Sequence, residues 1–246
     1  MDMHFEAGGD GNGLKQQLNR LVGHMYPRYL HAGQGRRDYL GEQRIIDAVD
    51  GDTLMVSVMW VNNETGFITD MSKVYRGVKR KNPKTIVHCD AVQGFCKLPA
   101  KLLKADLISL SAHKIHGPRG AGFLYIKDKT RIDPIIYGGG QQHGMRSGTE
   151  NVAGIYGMAL AAQKTYDNLK EDTSRMYELK RYFIETLLTI PGVTINGVRN
   201  IAADHTYDYD QSAQDRQPDS GYGAPHIISA SFGGIRSEVL LQIGRA

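Results

Sequence analysis

The chain has 246 residues, a formal net charge of +4 and 41% hydrophobic residues, proportions typical of a soluble globular protein. No apolar run is long enough to span a bilayer, residues 1–13 lack the apolar core of a signal peptide, and the modest charge does not argue for direct nucleic-acid binding. Two cysteines, Cys89 and Cys96, make no disulfide framework. We therefore expect a cytoplasmic protein with reduced thiols and no membrane partner.

Residues 1–44 form a divergent N-terminal segment without a pattern that assigns a fold. The glycine-rich run at 7–13 does not fit the GxGxxG pattern and follows no strand, so it favours a flexible tail over a phosphate loop. A short amphipathic helix over 14–25 is the one element that we predict here.

From residue 45 onward, apolar runs alternate with helical patterns. A helix end at 45–49 comes first, and Asp70 is placed to cap a helix that ends near Lys81. Continuous apolar runs predict buried strands, as parallel sheets require. The predicted strands of this part cover 53–60, 85–90, 106–110 and 120–126.

The second part of the chain has a helix-rich pattern around two short strands. We predict helices over 151–170 and 171–189, and the first has Ala153, Ile155, Met158, Ala159, Ala162 and Tyr166 on its apolar side. The predicted strands cover 193–195 and 226–232, with an exposed polar loop at 205–223 between them. The chain is thus an α/β protein with a large domain at 45–166 and a smaller, truncated α/β unit at 167–246.

Polar side chains follow several predicted strands at the point where each strand ends. Asn63, Asp90, Gln93 and Lys114 all occupy such positions. Ligand sites of open α/β sheets lie beyond the carboxyl ends of the strands, so these side chains predict a site. Lys114 admits two interpretations: a plain surface charge, or an amine that is desolvated in an apolar pocket and attacks an aldehyde.

The aldehyde best suited to carbanion chemistry is pyridoxal phosphate, which needs a carboxylate against its ring nitrogen. Asp90 offers that carboxylate, and Gln93 offers a hydrogen bond to the ring hydroxyl. Asn63 could bind the same hydroxyl or a substrate carboxylate. Ser111 and His113 can donate to the phosphate, and the loop at 144–149 adds further donors for the same anion.

Four motifs, by their order and spacing along the chain, also resemble those of a known family. VNNETG at 61–66, HCDAVQ at 88–93, SLSAHKIHGPRGAG at 109–122 and GGGQQHGMRSGTEN at 138–151 resemble the cysteine desulfurases of the class V aminotransferase superfamily, in the NifS/IscS-like branch. The tail at 225–241 is similar to the small domain of that branch. The resemblance implies the fold of the type I pyridoxal-phosphate-dependent transferases.

The resemblance also implies a role for each site residue. Lys114 carries pyridoxal 5'-phosphate as a Schiff base and is catalytic together with His113. The implied cofactor contacts are Asp90 to the pyridinium, Gln93 to the ring oxygen, Ser111 and His113 to the phosphate, Thr149 to the phosphate of a partner subunit's cofactor, and Asn63 near cofactor and substrate.

The implied reaction converts L-cysteine to L-alanine and leaves the sulfur as a persulfide on an enzyme cysteine. The implied partners are a second copy of the chain, as a homodimer, and a sulfur-acceptor protein of iron–sulfur cluster assembly or tRNA thiolation. Family members are longer at both ends, and their persulfide cysteine and substrate-carboxylate arginine follow the region that matches the end of this sequence. We therefore expect a fragment that lacks both residues, with Cys89 and Cys96 as small core residues rather than replacements.

Three alternatives stay open from the sequence. The chain could be another class V enzyme, such as a selenocysteine lyase or an aminotransferase, although the GMRSGTEN motif argues against this. It could be an inactive truncated paralogue that acts only in binding or dimerisation. A metal site at His113 and His116 would need further ligands. Two local departures from the family are His143 in place of an arginine and Trp60 in place of a smaller or polar residue.

Overall fold

The structure is a computed structural model that describes residues 41–197, 223–237 and 239–240. The predicted N-terminal tail, the helix at 14–25 and residues 205–222 of the predicted polar loop lie outside the described residues. No helix within the described ranges combines the length and the apolar character that crossing a membrane requires.

A four-stranded sheet forms the centre of the described structure. Its strands are β1 (Met55–Met59), β2 (Ile86–Asp90), β3 (Leu107–Ser111) and β4 (Gly122–Ile126), in the spatial order β1-β2-β3-β4. The first three run parallel and β4 runs antiparallel to β3. The predicted α/β fold with a mostly parallel sheet is therefore confirmed.

Two helices precede and follow β1, and the second packs against the sheet while the first packs against the second. Helix α1 (Glu42–Asp47) begins a few residues before the boundary that we predicted at residue 45, and helix α2 (Met71–Lys81) has the predicted bounds. Asp70 is its N-cap, since the Lys73 backbone N–H donates to the Asp70 carboxylate at 2.8 Å. The buried face of α2 joins the same core as the buried side chains of β1 and β2.

The strand alternation separates core residues from site residues. In β2, Val87 and Cys89 are fully buried in the core, whereas His88 and Asp90 point to the opposite, half-buried face. Cys96 is 1% exposed and belongs to the same core. Both cysteines are thus small core residues, as predicted.

Helix α3 (Val152–Asp167) packs through only part of the predicted face: Met158, Ala162 and Tyr166 join the core, as predicted. Gly154 and Met158 are buried, but Ile155 is 51% exposed, and Ala153 and Ala159 are exposed as well. The cause is a close approach at Gly157, where an added Cβ would lie 2.7 Å from the Pro118 ring. The N-terminal part of the helix therefore docks through its small residues, and Val152, Ile155 and Tyr156 face outward.

Helix α4 (Leu169–Leu188) is nearly continuous with α3, and the break falls at Asn168, slightly earlier than predicted. The Asn168 side chain donates to the Lys164 carbonyl at 3.1 Å and so competes with the helical hydrogen-bond pattern. Strands β5 (Val193–Asn196) and β6 (Ser229–Phe232) then form a separate antiparallel pair.

The predicted strand at 226–232 is therefore too long by three residues at its start. β5 offers only four residues for pairing, and the carbonyl groups of Ala224 and Ile227 both accept hydrogen bonds from the Lys180 ammonium instead of from a strand. Residues 223–228 consequently form a connecting segment before β6.

Candidate functional site

The carboxyl ends of β1, β2 and β3 meet at one edge of the sheet, which we call the strand-end edge. These three strands are parallel neighbours, so the segments that follow Met59, Asp90 and Ser111 leave from the same side. Short backbone hydrogen bonds hold the segments there, from Trp60 N to Asp90 O at 2.9 Å and from Ala91 N to Ser109 O at 3.0 Å. This edge is where the sequence placed the site.

Asn63 lies on the turn that follows β1, and its neighbour Asn62 builds that turn. The Asn62 side-chain oxygen accepts the backbone N–H groups of Glu64 and Thr65 at 3.0 and 2.9 Å. The turn closes with Gly66 N donating to Asn62 O at 3.0 Å. Asn63 is thereby left exposed on a fixed loop, with its side chain available to a ligand.

Asp90 ends β2 and is half-buried. Its carboxylate accepts the backbone N–H of Val92 at 3.0 Å, which fixes the side chain at the start of the turn that carries Gln93. Gln93 is also half-buried. A carboxylate and an amide thus lie three residues apart at the strand-end edge.

Ser111, His113 and Lys114 lie where β3 passes into a 3₁₀-helix at Ala112–Ile115. Ser111 Oγ is 2.7 Å from His113 Nδ1, and this hydrogen bond joins two of the predicted site residues directly. The 3₁₀-helix is anchored by Ala112 and Ile115, which are fully buried. Burial of these two side chains orients His113 and Lys114 outward, and both are exposed.

Lys114 is thus at the edge but is not enclosed by an apolar pocket among the described residues. His116, two residues further on, adopts the left-handed conformation with φ 65° and ends the 3₁₀-helix. Pro118 then packs against helix α3. The turn therefore presents Lys114 from a rigid base, with its ammonium open to an incoming group.

The sheet face beside Asp90 carries a polar bridge across three strands. His88 Nδ1 lies 2.7 Å from Ser57 Oγ, and His88 Nε2 lies 3.0 Å from Ser109 Oγ. Burial lowers the pKa of His88, although the charge of Asp90 opposes that shift. The bridge ties β1, β2 and β3 together directly behind the edge.

Thr149 lies at the end of a glycine-rich loop that precedes α3. The loop contains left-handed residues, among them Gln142 at φ 50° and His143 at φ 57°, and Gly148 N donates to the Gln141 side chain at 3.0 Å. Thr149 is exposed, and within the described part of the chain it makes no hydrogen bond to the other six predicted residues. The loop leads directly into α3, and α3 packs against the 3₁₀-helix that carries Lys114.

A second segment, residues 223–227, lies against the turn of Asn63. Ala224 N donates to Gly66 O at 2.7 Å, and an added Cβ on Gly66 would be 3.1 Å from Ile227. Gly66 has φ 73°, so glycine meets both the backbone and the packing requirement there. The segment therefore brings residues of the second part of the chain to the strand-end edge.

His226 lies in this segment, and both of its ring nitrogens are buried without a hydrogen-bond partner among the described residues. Burial is the largest cause that lowers its pKa, to about 4, and the ammonium groups of Lys97, Lys180 and Lys114 lower it further. The dependence on Lys114 places His226 within electrostatic range of the predicted site lysine.

Sequence reasoning missed three contributors to this site: Asn62, His88 and His226. The first had a usable signal, because an asparagine side chain at the start of a polar turn commonly accepts the backbone N–H two residues further on, as Asn62 does from Glu64. His88 required knowledge of strand register. His226 was assigned to a strand, and the contacts that withdraw it from the sheet join residues far apart in sequence.

Taken together, the edge offers an exposed amine, a fixed carboxylate, amide groups and a hydroxyl–imidazole pair. Such a set can hold an aromatic aldehyde by its carbonyl, its ring nitrogen and an attached anion. Among the described residues, no three or more of the His, Cys, Asp and Glu side chains lie close enough to hold a metal ion.

Comparison with known proteins gives a family model, a curated relative and solved structures. The family model described as aminotransferase class-V matches residues 31–207. Cysteine desulfurase IscS of Clostridium botulinum is 34% identical over 206 residues, covering 82% of this chain and 47% of the relative. A solved structure described as a NifS-like protein is 36% identical with a TM-score of 0.67, covering 82% of this chain and 50% of that one.

A further solved structure, described as SspA in complex with cysteine, is 26% identical with a TM-score of 0.51; the match covers 64% of this chain and 44% of that one. The chain thus spans about half the length of the relatives that it matches.

Proposed function

The chain belongs to the aminotransferase class-V family, and we propose that it supplies the lysine-bearing part of a cysteine desulfurase, which converts L-cysteine to L-alanine and transfers the sulfur to a cysteine thiol. The observation that carries this proposal is the convergence of Asp90, Ser111, His113 and Lys114 at one strand-end edge. Relatives named cysteine desulfurase and a neighbour described with bound cysteine support the choice of substrate.

The cofactor of this family is pyridoxal 5'-phosphate. The described residues fit it in their chemistry, since the edge carries an exposed amine for an aldehyde, a carboxylate for a ring nitrogen and donors for a phosphate. Lys114, Asp90 and Gln93 would hold the aldehyde carbon and the ring. Ser111 and His113 would hold the phosphate, Asn63 would face the ring oxygen or the substrate, and Thr149 would reach the phosphate of a partner subunit's cofactor.

When bound, the cofactor supplies an electron sink for the carbanion that forms at the substrate α-carbon. The residues of this chain would bind and orient the cofactor and the substrate. Asp90 keeps its carboxylate fixed through Val92 N, so that it can hold a proton on a ring nitrogen. Lys114 is exposed and can move a proton, and His113 is orientated by Ser111 Oγ.

Neither cysteine of this chain fits the role of sulfur acceptor. Burial and the charge of Asp90 raise the pKa of Cys89, and burial raises the pKa of Cys96 to about 11. The thiolate is the nucleophilic form of cysteine, and the raised pKa values keep both thiols protonated at neutral pH. We therefore place the persulfide on a cysteine outside these 246 residues.

The proposed assembly is a homodimer with the domains at 45–166 and 167–246, after a divergent segment at 1–44. Bulky apolar side chains of α3, among them Val152, Ile155 and Tyr156, are 51–70% exposed and support burial against a second copy. The proposed partner beyond the dimer is a cytoplasmic sulfur-acceptor protein of iron–sulfur cluster assembly or tRNA thiolation.

The test is product analysis with the chain loaded with pyridoxal phosphate and supplied with L-cysteine and an excess of a small thiol, which takes the place of the absent acceptor cysteine and leaves with the sulfur as its persulfide. We expect L-alanine to accumulate, and Asp90→Asn to slow its formation at least tenfold, while the exposed control Asp128→Asn has no effect. A cofactor-loaded chain that forms no alanine would contradict the proposal. Faster turnover of L-selenocysteine would favour the lyase alternative.

A further inference from the structure

One face of the central sheet lies outside the described core. The opposite face packs with helices α2 and α3, and its buried strand residues belong to one core cluster: Val56, Val58, Val87, Cys89 and Leu110. Side chains alternate along a strand, so the residues between these point to the other side of the sheet, which we call the open face. The apolar side chains of the open face do not belong to the core cluster: Met55, Met59, Ile86, Leu107, Leu124 and Ile126.

Five apolar side chains of the open face form a band across all four strands. Met55 pairs with Ile86 on β1 and β2, and Leu107 pairs with Ile126 on β3 and β4. Leu124, on the same side of β4, is 46% exposed. Parallel sheets occur almost only with both faces covered, so this band requires a covering element.

The polar side chains beside the band tolerate a cover. His88 Nδ1 meets Ser57 Oγ at 2.7 Å and His88 Nε2 meets Ser109 Oγ at 3.0 Å, so both ring nitrogens already have partners. A polar group that is hydrogen-bonded within the protein can be buried without losing its partner. An apolar surface can therefore close over this face without leaving the imidazole unpaired.

Residues 14–25 provide a surface that matches this band. The apolar positions in LKQQLNRLVGHM recur with the period of an α-helix: Leu14, Leu18, Leu21, Val22 and Met25. In a helix these five side chains would fall within an arc of about 100°, and polar side chains and a glycine would occupy the rest of the circumference. A helix this short is marginal in water by itself and gains most of its stability by packing its apolar stripe against a partner surface.

The dimensions and the reach of this segment also fit the open face. A helix over 14–25 would present a stripe about 17 Å long at about 1.5 Å per residue. Four strands about 4.8 Å apart make the band about 14 Å wide. Residues 26–40 connect the segment to α1 and can span up to about 50 Å. Because the segment belongs to the same chain, its effective concentration at the sheet exceeds that of a dilute separate partner.

We propose that residues 14–25 form an amphipathic helix that docks its apolar stripe on the open face of the sheet. The docked helix would lie on the same side of the sheet as Asp90 and Ser111 and would shield the strand-end edge from water on that side. This inference concerns the packing of the chain and stands whether or not the cofactor binds. A second copy of the chain and a separate polypeptide are the competing occupants, and the experiment separates them.

The test measures the reactivity of a thiol on the band of the full chain. Leu124→Cys introduces this thiol, and the buried Cys89 and Cys96 report a loss of the fold if they become labelled. We expect slow alkylation of the introduced thiol, at a rate that does not depend on protein concentration. Adding Leu18→Asp and Leu21→Asp should raise the rate at least tenfold, because the two charges oppose burial of the stripe.

The matched control adds the same two charges on the opposite side of the helix. Gln16→Asp with Asn19→Asp should leave the introduced thiol protected. Rapid labelling of Leu124→Cys in the otherwise unchanged chain would overturn the proposal and leave the face to a separate polypeptide. Equal effects of the two pairs of aspartates would also overturn it, and protection that is lost on dilution would assign the cover to a second copy instead.

Cross-linking decides the question if the variant with aspartates on the stripe unfolds. A short bis-maleimide should join the two thiols of the double variant Leu21→Cys and Leu124→Cys within one chain. The double variant Asn19→Cys and Leu124→Cys should cross-link at least tenfold less, because residue 19 lies on the polar side of the helix. Absence of the link within one chain, links only between chains, or equal yields from the two double variants would contradict the proposal.

Discussion

Lys180 Nζ lies 2.7 Å from the carbonyl oxygen of Ile227 and is almost fully buried, without a carboxylate partner among the described residues. A second bond, to Ala224 O, completes the contact that holds the segment at 223–227 to helix α4. A lysine in this position stabilises the connection through hydrogen bonds and not through an ion pair. The buried charge of Lys180 therefore lowers the free energy of unfolding by an amount that depends on pH.

Stability should rise between pH 8 and pH 10.5 because of Lys180. Burial lowers the pKa of Lys180 to about 8, so the folded state binds fewer protons than the unfolded state in this interval. The neutral amine keeps two N–H donors and can retain both bonds. We expect Lys180→Met to flatten the pH dependence of the free energy of unfolding there, by about 3 kcal/mol at most.

Urea unfolding at several pH values measures this effect. Lys164→Met, at an exposed position of helix α3, serves as the control and should leave the slope unchanged. An unaltered slope in Lys180→Met would show that another group titrates in this range.

Asp106→Asn should destabilise the fold by about 2 kcal/mol at neutral pH. The Asp106 carboxylate accepts from Lys79 Nζ at 2.6 Å and from Val87 N at 2.9 Å, and it is 5% exposed. Burial alone would raise the pKa of Asp106, but these bonds outweigh it and hold the pKa below its usual value. The stabilisation is thus present above the ordinary aspartate pKa and disappears as the pH falls through the lowered one.

Acid unfolding of the two proteins checks this prediction. At low pH the wild type should no longer be more stable than Asp106→Asn, so the two curves of unfolding free energy against pH should converge. A constant difference down to the acid transition would contradict the account. Asp128→Asn, which changes an exposed carboxylate, should behave as the wild type.

Gly94→Ala should destabilise the chain by about 1–3 kcal/mol through overpacking. An added Cβ at residue 94 would lie 2.5 Å from Trp60 Cε3, and Trp60 is fully buried. Trp60→Phe vacates that space, so the double variant should lose less stability than the sum of the two single changes. Gly51→Ala, where nothing lies within 4 Å, is the matched control. Additive losses in the double variant would mean that the two residues do not compete.

Neither cysteine should react with a thiol reagent in the folded chain. Cys89 is 0% and Cys96 is 1% exposed, and burial raises the pKa of both thiols. Mass spectrometry after brief alkylation should show no adduct in buffer and two adducts in denaturant. Rapid labelling of Cys96 in buffer would contradict this prediction, and Cys96 would again be a candidate sulfur acceptor.

The sequence predicts the parts of this molecule that depend on local patterns. The strands, the helix that Asp70 caps and the position of Lys114 after β3 follow from apolar runs and turn residues. The exposure of Ala153, Ile155 and Ala159 in α3 does not, because a glycine that approaches Pro118 turns that side of the helix outward. The position of His226 outside the sheet escapes prediction for a similar reason: Lys180 bonds the carbonyl groups of Ala224 and Ile227, more than forty positions away, and holds this segment before β6.

The absorbance spectrum of the chain with pyridoxal phosphate tests the central claim, that Lys114 at the strand-end edge holds the cofactor. We predict a new visible band that is absent from Lys114→Ala and present in Lys104→Ala, whose exposed lysine lies before β3. Borohydride reduction followed by peptide mapping should place the cofactor on Lys114. A band of equal strength in Lys114→Ala, or no band with the folded wild-type chain, would contradict the claim.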